Sequence, residues 1–251
     1  MNEAGEILLN YYKKPSKEKG IEQKGRLDLV TAADKACEKF ISDQLVQLFP
    51  NHGILAEEGT SHPSKSGYSW VLDPLDGTTS FAHRFPQFSI SLALVDEKET
   101  PVVGIVFAPL LEYYFEAFQG GGARKNGWLI SVSGHRSLEG SLLGTGFPYD
   151  RRERMDIILQ RTRTILNHVH DVRRTGTAAL DLCYVAAGEL DGYYEDGLKA
   201  WDVAAAMLIV KEAGGSIRTF KNEEAAIHSG DFLAGSDQLV TEMSQQLGST
   251  V

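Results

Sequence analysis

A short acidic motif offers the first candidate chemistry. Asp73-Pro-Leu-Asp76-Gly-Thr-Thr79 follows the apolar run Ser69–Leu72. Pro74 and Gly77 are turn-forming residues, so a sharp bend can bring the two carboxylates together. The amides after Gly77 would then begin a short helix, and amides at a helix start suit an anion such as phosphate. The motif therefore predicts a phosphate-binding turn beside paired carboxylates, and the competing interpretation is an acidic turn that only caps a strand.

Three other acidic residues stand at element boundaries. Glu57 follows a predicted strand, where it could also be a solvated loop residue. Asp202 precedes a predicted helix and could be its N-cap. Asp34 comes three residues after Thr31, a spacing that also fits a capping box. Each residue, taken alone, has an ordinary structural interpretation.

Taken together, the acidic residues predict a metal site made of oxygen ligands. Several carboxylates in one place cannot all ionise unless cations neutralise them. Hard divalent ions, magnesium first, prefer such ligands. A carboxylate cluster beside a phosphate-binding helix start suits metal-assisted phosphoryl transfer to water. The residues that would form the cluster are Glu57, Asp73, Asp76 and Asp202.

Other site chemistries lack their required residues. Gly144-Thr-Gly146 has no third glycine of a dinucleotide fingerprint, and the chain contains no P-loop lysine motif. His168 and His170 would share one face of a strand, but no cysteine or acidic spacing completes a zinc site. A Gly-x-Ser-x-Gly elbow of serine hydrolases is also missing.

The elements that must position these residues are helices interleaved with short strands. Apolar residues at helical spacing predict helices at Ala4–Lys14, Ala32–Leu48, Arg154–Leu166, Thr177–Ala187 and Val203–Ala213. Apolar runs rich in β-branched and aromatic residues predict strands at Gly53–Ala56, Tyr68–Leu72, Ser89–Val95, Val102–Ala108, Tyr113–Phe118, Ser141–Gly144, Val169–Arg173, Gly192–Glu195 and Ser216–Thr219. Lys13–Gly25 is charged and rich in Gly and Pro, which predicts a loop. No linker divides residues 1–251, so we expect one two-lobed domain with mixed sheet.

Composition excludes several classes of protein. The chain has 251 residues with 42% hydrophobic and 24% charged, as in ordinary globular proteins. A net charge of −9 argues against broad binding to nucleic acid or an anionic membrane. Two distant cysteines, Cys37 and Cys183, indicate a reducing compartment with both in the core. No apolar window is long enough to span a membrane, so we expect a cytoplasmic protein.

At this point the motifs resemble those of the inositol monophosphatase family, the lithium-sensitive, magnesium-dependent phosphatases. They occur in family order and extend over nearly the whole chain. The matching strings are Asp28-Leu-Val-Thr-Ala-Ala-Asp34, Ala56-Glu-Glu-Gly59, Trp70-Val-Leu-Asp-Pro-Leu-Asp-Gly-Thr-Thr-Ser-Phe81, His83-Arg-Phe-Pro86, Arg173-Arg-Thr-Gly-Thr-Ala-Ala179, Trp201-Asp-Val-Ala204 and Glu212-Ala-Gly-Gly215.

The resemblance implies an α+β fold, a five-layer αβαβα sandwich that is usually a homodimer. It also implies two or three magnesium ions per site. The first ion would be held by Glu57, Asp73 and the Leu75 carbonyl, the second by Asp73, Asp76 and Asp202, and a third, largely hydrated ion with help from Glu57. Thr78 and Asp34 would orient the attacking water. The amides of Gly77 and Thr78 would hold phosphate, and the sugar-alcohol hydroxyls would contact Asp76, Gly176, Thr177, Ala178 and Glu195.

The chain departs from the family pattern in three places. Its first helix looks shortened, which concerns one edge of the fold and not the chemistry. Ser80 stands where the family usually has Asn. A family lysine before the Asp-Leu-Val-Thr string is matched by Lys24 only if a gap is allowed.

The expected function is hydrolysis of a phosphate monoester on a small polyol, with myo-inositol 1-phosphate as the leading substrate. Thr79 agrees with this, since related phosphoadenosine phosphatases tend to carry Lys there and histidinol-phosphate phosphatases Arg. Fructose-1,6-bisphosphatase activity is the enzymatic alternative. A protein that uses the same fold to bind a macromolecule is the non-enzymatic one.

Overall fold

Two large sheets and seven helices make up the part of the chain that the structure describes. The structure is a computed structural model and describes residues 1–14, 20–23 and 29–248. The helices are α1 Asn2–Tyr12, α2 Ala32–Leu48, α3 Thr78–Ala82, α4 Met155–Leu166, α5 Ala178–Ala186, α6 Ala200–Glu212 and α7 Asp237–Leu247. Asp28 and Lys24 of the family strings lie outside the described residues.

The strands divide into a short ribbon and the two large sheets. In chain order they are β1 Glu22–Gln23, β2 Leu29–Val30, β3 Gly53–Ala56, β4 Ser61–His62, β5 Ser69–Asp76, β6 Ser89–Val95, β7 Pro101–Ala108, β8 Tyr113–Phe118, β9 Ala123–Lys125, β10 Trp128–Leu129, β11 Leu142–Thr145, β12 Asp171–Arg173, β13 Gly192–Asp196, β14 Ser216–Arg218 and β15 Asp231–Gly235. The ribbon pairs β1 with β2. One sheet has the order β10-β9-β8-β7-β6-β5-β3-β4, and the other β12-β11-β13-β15-β14.

The elements stack in five layers. Helices α1 and α2 cover one face of the eight-stranded sheet, and α5 and α6 lie between the two sheets. Helices α4 and α7 cover the outer face of the five-stranded sheet. Three separate apolar clusters fill the spaces between the layers. The expected αβαβα sandwich is therefore confirmed.

Helix α6 is almost completely buried in the middle layer of the sandwich. Nine of its residues are buried, on every side of the helix. A helix that is apolar all round is stable only when it is surrounded, and α6 packs against strands of both sheets. The two cysteines, Cys37 and Cys183, are buried and free, as expected. Among the described residues, no helix is both long and apolar enough to cross a lipid bilayer.

Several boundaries differ from the sequence predictions. Strand β5 continues to Asp76, beyond the expected end at Leu72, and its pairing with β6 shifts register between Asp73 and Asp76. The two acidic residues therefore lie in a bulged strand and not in a turn after it. Glu22–Gln23 is a strand inside the predicted loop, and β15 and α7 were not predicted.

A buried acid on α5 ties this helix to the loop before it. Asp181 is 1% exposed and accepts a hydrogen bond from the Thr175 hydroxyl at 2.7 Å. Burial is the main reason that the pKa of Asp181 rises to about 7, since a carboxylate loses its hydration there. The Thr175 hydrogen bond and the Arg174 charge oppose the rise only in part. The native protein therefore binds this proton more tightly than the unfolded chain does.

We predict that this proton makes stability depend on pH. Between about pH 4 and pH 7 the native state binds an extra proton at Asp181, so the free energy of unfolding falls as pH rises through that window. In Asp181→Asn the contribution of this residue to the slope is lost, because asparagine does not titrate. Urea unfolding at pH 4.5 and pH 8 should show the variant gaining on the wild type by on the order of 2–4 kcal/mol. Equal pH dependence of the two proteins would contradict the assignment.

Candidate active site

The acidic residues meet where β3 and β5 end side by side. These strands are parallel neighbours, with Ala56 opposite Leu72, so Glu57 and Asp73 follow directly at adjacent positions. The Glu57 amide also donates to the Leu72 carbonyl at 3.1 Å. Two strands that run in the same direction thus deliver their carboxylates to the same edge of the sheet.

Helix α6 brings the fourth acid to this edge. Asp73 pairs in register with Ser91 of β6, and the Ser91 hydroxyl donates to the Trp201 carbonyl at 3.2 Å. Asp202, the next residue, lies in the first turn of α6. It is not the N-cap, which is Lys199; instead, the Asp202 carboxylate accepts from the Lys199 amide at 2.7 Å. The N-cap interpretation was wrong because α6 begins at Ala200, before the apolar residues whose helical spacing predicted it.

The electrostatics show how closely these groups face one another. The pKa of Asp73 is well above its usual range, first because of burial and then because of the Glu57, Asp76 and Asp202 charges. The pKa of Asp76 is also well raised, by burial and then chiefly by Asp202. Negative charge is therefore concentrated at a desolvated site, and it needs compensation before these acids can ionise together.

The donor set fits a hard divalent cation. The described residues contain no group of three or more His, Cys, Asp or Glu that is already arranged to hold a metal ion. Repulsion between the carboxylates opposes a tighter cluster, and a divalent cation would remove that repulsion. Because every available donor is an oxygen, magnesium is the ion that this chemistry favours.

Backbone amides hold one oxygen of each central acid. Asp73 accepts from the Leu75 amide at 2.9 Å, and Asp76 accepts from the Ala179 amide at 2.9 Å. The second contact joins the bulged strand β5 to the start of α5. These hydrogen bonds restrict the rotation of the two carboxylates.

A hydroxyl and a buried carboxylate form the second part of the site. The Thr78 hydroxyl lies 3.1 Å from Asp34 Oδ1 and 3.0 Å from the Leu75 carbonyl. The other Asp34 oxygen accepts from both the amide and the hydroxyl of Thr31, at 2.8 Å and 2.5 Å. The predicted capping box is thus confirmed, and the same side chain also reaches Thr78. Burial raises the pKa of Asp34, and its hydrogen bonds with the two threonines lower it.

Gly77 is required at the turn into α3. Its φ is +90°, in the left-handed region that favours glycine. A Cβ there would lie 2.9 Å from the Gln87 carbonyl and 3.0 Å from Thr177 Oγ1. The turn is therefore packed directly against the segment that begins α5, which contains the expected polyol contacts.

These segments line one cavity of about 260 Å³. Eight of the residues that the sequence indicated are in its wall: Asp76, Gly77, Thr78, Gly176, Thr177, Ala178, Glu195 and Asp202. Asp34, Glu57, Asp73 and Leu75 are not in the wall and reach it only through the neighbours described above. A larger open groove of about 800 Å³ beside α1 and α2 contains none of these residues.

Glu195 is a buried acid in the wall of the cavity. It lies inside β13, 8% exposed, and accepts a hydrogen bond from the Tyr193 hydroxyl. Its carboxyl packs so closely on Gly146 that no Cβ would fit there. Burial raises the pKa of Glu195 to about 8, because a carboxylate loses its hydration there. A protonated carboxyl can donate to a substrate hydroxyl as well as accept from one.

Sequence reasoning missed the outer wall of the cavity and one buried acid. Phe147, Tyr149 and Arg174 line the cavity, and the Arg174 guanidinium lies 5.6 Å from the Phe147 ring centre. Glu38, on α2, is 4% exposed and contacts the loop that carries Glu57. Its spacing from Asp34 was the available signal, because residues four apart share one face of a helix.

Comparisons with known sequences and structures identify the family of the chain. The family model described as the inositol monophosphatase family matches residues 1–249. The Nus factor SuhB of Escherichia coli strain K12 is 39% identical over 96% of this chain and 90% of its own. The extragenic suppressor protein SuhB of Bartonella henselae superposes with a TM-score of 0.94 at 34% identity, covering 100% of this chain and 96% of the other. An inositol monophosphatase of Anabaena (Nostoc) sp. PCC 7120 gives 0.88 at 37%, covering 98% and 91%. The chain therefore belongs to the inositol monophosphatase family.

Proposed function

We propose that the protein hydrolyses phosphate monoesters of small polyols in a magnesium-dependent reaction, with myo-inositol 1-phosphate as the leading substrate. The observation that carries the proposal is the meeting of the four-acid cluster, the Thr78–Asp34 pair and the 260 Å³ cavity at one edge of the large sheet. Neither the acids nor the pair would suffice alone, since the acids would supply metal ligands and the pair a proton acceptor for water.

The metal ligands would divide between two positions that share Asp73. Glu57, Asp73 and the Leu75 carbonyl would hold one magnesium ion, and Asp73, Asp76 and Asp202 a second. Glu57 would also help to hold a third, largely hydrated ion. Bound magnesium lowers the pKa of a coordinated water and stabilises the negative charge that develops on the leaving oxygen.

The Thr78 hydroxyl would accept a hydrogen bond from the attacking water and relay its proton to Asp34. Its hydroxyl has one proton and two acceptors within reach, Asp34 Oδ1 and the Leu75 carbonyl. If the Leu75 carbonyl binds metal, the Thr78 proton points to Asp34, and the oxygen lone pair is free to accept from water. Thr31 holds Asp34 in place for this task through two hydrogen bonds. A water oriented in this way can attack phosphorus in line, without a covalent enzyme intermediate.

The remaining cavity residues would bind the two ends of the substrate. The amides of Gly77 and Thr78 would hold phosphate oxygens at the start of α3. Gly176, Thr177, Ala178, Asp76 and Glu195 would contact the polyol hydroxyls. Because Gly77 packs against Thr177, the phosphate end and the polyol end would keep a fixed separation.

A direct assay tests the proposal. Phosphate release from myo-inositol 1-phosphate, fructose 1,6-bisphosphate and 3′-phosphoadenosine 5′-phosphate should be compared with and without magnesium. We expect the inositol ester to be preferred, and Asp73→Asn to lose more than the roughly 10–100-fold typical of changes outside the ligand shell. Magnesium-dependent turnover of the variant within tenfold of wild type would contradict the role of Asp73. Faster turnover of fructose 1,6-bisphosphate would favour the enzymatic alternative.

A second candidate is an interaction protein with the same fold. The favouring observation is that curated relatives 39% identical to this chain are named Nus factor. Asp73→Asn also separates the two roles, because an interaction that needs no catalysis should survive it. A homodimer, usual in the family, remains part of the proposal and is checked by the solution mass.

We predict that the Thr78 hydroxyl is needed for turnover more than for metal binding. Thr78→Ala should lower kcat about 100-fold, the scale of a lost general-base relay, while magnesium affinity changes little. Thr78→Ser keeps the hydroxyl and should retain most of the rate, which makes it the matched control. Parallel loss of metal binding and rate in Thr78→Ala would instead indicate a structural role.

We predict that Glu195 discriminates polyol esters from simple ones. Glu195→Ala should lower kcat/KM for myo-inositol 1-phosphate by roughly tenfold or more, because a buried hydroxyl left without its hydrogen-bond partner costs about 1–3 kcal/mol. An aryl phosphate offers no polyol hydroxyls, so its hydrolysis should hardly change. Ala is the better test than Gln, since Gln keeps both a donor and an acceptor. Equal losses on both substrates would exclude Glu195 from the specificity pocket.

A further inference from the structure

The loop that carries Glu57 is held by a side chain from another layer. Glu38 lies on α2 and is 4% exposed. Its two carboxylate oxygens accept from two backbone amides of the loop, Oε2 from Glu58 at 2.7 Å and Oε1 from Thr60 at 2.9 Å. One buried carboxylate thus satisfies amides on both sides of the loop bend.

These contacts leave the backbone around Glu57 little freedom. The Glu57 amide itself donates to the Leu72 carbonyl of β5 at 3.1 Å. Within the loop, the Ala56 amide donates to the Thr60 carbonyl at 3.0 Å, and Gly59 has φ +110°. The backbone is therefore fixed to β5 at Glu57 and to α2 at the next residue.

Glu38 also belongs to the same helix face as Asp34. Residues four apart on a helix lie one above the other, and both side chains are buried. Asp34 contacts the Thr78 hydroxyl, and Glu38 contacts the Glu57 loop. One rigid face of α2 thus sets the distance between the proton acceptor and a candidate metal ligand.

We propose that Glu38 is a positioning residue for metal binding, which sets the place of Glu57 through the amides of Glu58 and Thr60. The proposal rests on the proposed function in one respect, that Glu57 ligates magnesium. A carboxylate that accepts two amide bonds is a strong, charge-assisted anchor, and its loss frees the loop without removing a ligand. Outer-shell partners of this kind typically change metal affinity by 10–100-fold when they are mutated.

Two substitutions at Glu38 would remove one or both of its contacts with the loop. Glu38→Gln keeps one acceptor oxygen but turns an NH₂ group toward the second amide, so one loop contact is lost. Glu38→Ala loses both. Ser42→Ala is the matched control, because Ser42 is buried one turn further along the same face and its hydroxyl has no hydrogen-bond partner among the described residues.

The experiment measures magnesium binding by calorimetry on the full chain without substrate, beside urea unfolding and the magnesium dependence of phosphate release. We expect magnesium affinity about tenfold weaker in Glu38→Gln and up to 100-fold weaker in Glu38→Ala, with Ser42→Ala within twofold of wild type. Saturating magnesium should restore most of kcat in Glu38→Gln, since every ligand is still present.

The outcomes separate this proposal from a merely structural role. Lower stability of the Glu38 variants with unchanged magnesium affinity would overturn it. Wild type that binds magnesium but hydrolyses none of the phosphate esters would overturn the proposed function and leave the Glu38 comparison valid. Wild type that binds no magnesium would overturn both, because Glu57 would then have no ion to hold.

Discussion

Repulsion between the buried Asp73 and the partly buried acids around it is the constraint on which the rest of the site depends. Asp73 is 1% exposed and faces the charges of three other acids, so its ionised form is strongly disfavoured in the protein alone. Apolar residues at these positions would make the protein more stable, since uncompensated buried charge is costly. Under the proposed function, cations would complete the site, and the destabilising effect of the cluster would be a consequence of its role.

The layered fold is what allows this repulsive cluster to persist. The acids come from three different elements: the end of β3, the bulged end of β5 and the first turn of α6. Each element is held by apolar packing that does not involve the acids. Helix α6, for example, is buried between two sheets, and moving it away from β5 would expose the apolar core. Packing energy spread over a large core thus opposes a local electrostatic repulsion.

The sequence predicted the elements better than their ends. Helix α2 and strands β3, β6 and β8 were obtained with their observed bounds, because Gly, Pro, charged residues or a helix cap lie close to their ends. The end of β5 was missed because Pro74 indicates a turn in sequence, whereas in the fold it lies in a bulge that β6 still pairs around. The start of α6 was missed because Lys199 is not a preferred N-cap residue and Asp202 is. The contacts of Glu38 with Glu58 and Thr60 join residues about twenty apart in the chain, so they depend on tertiary packing and were not predicted.

Local hydrogen bonds to the backbone are compatible with the roles proposed for the acids. Asp34 closes the capping box of α2 with one oxygen and meets Thr78 with the other. Asp202 accepts from the Lys199 amide at the start of α6, and Asp73 accepts from the Leu75 amide two residues on. In each case a local backbone hydrogen bond fixes the carboxylate plane. A backbone amide is a more rigid partner than a side chain, because it has no side-chain torsion angles. Local hydrogen bonds from backbone amides are therefore the means by which this fold orients these carboxylates.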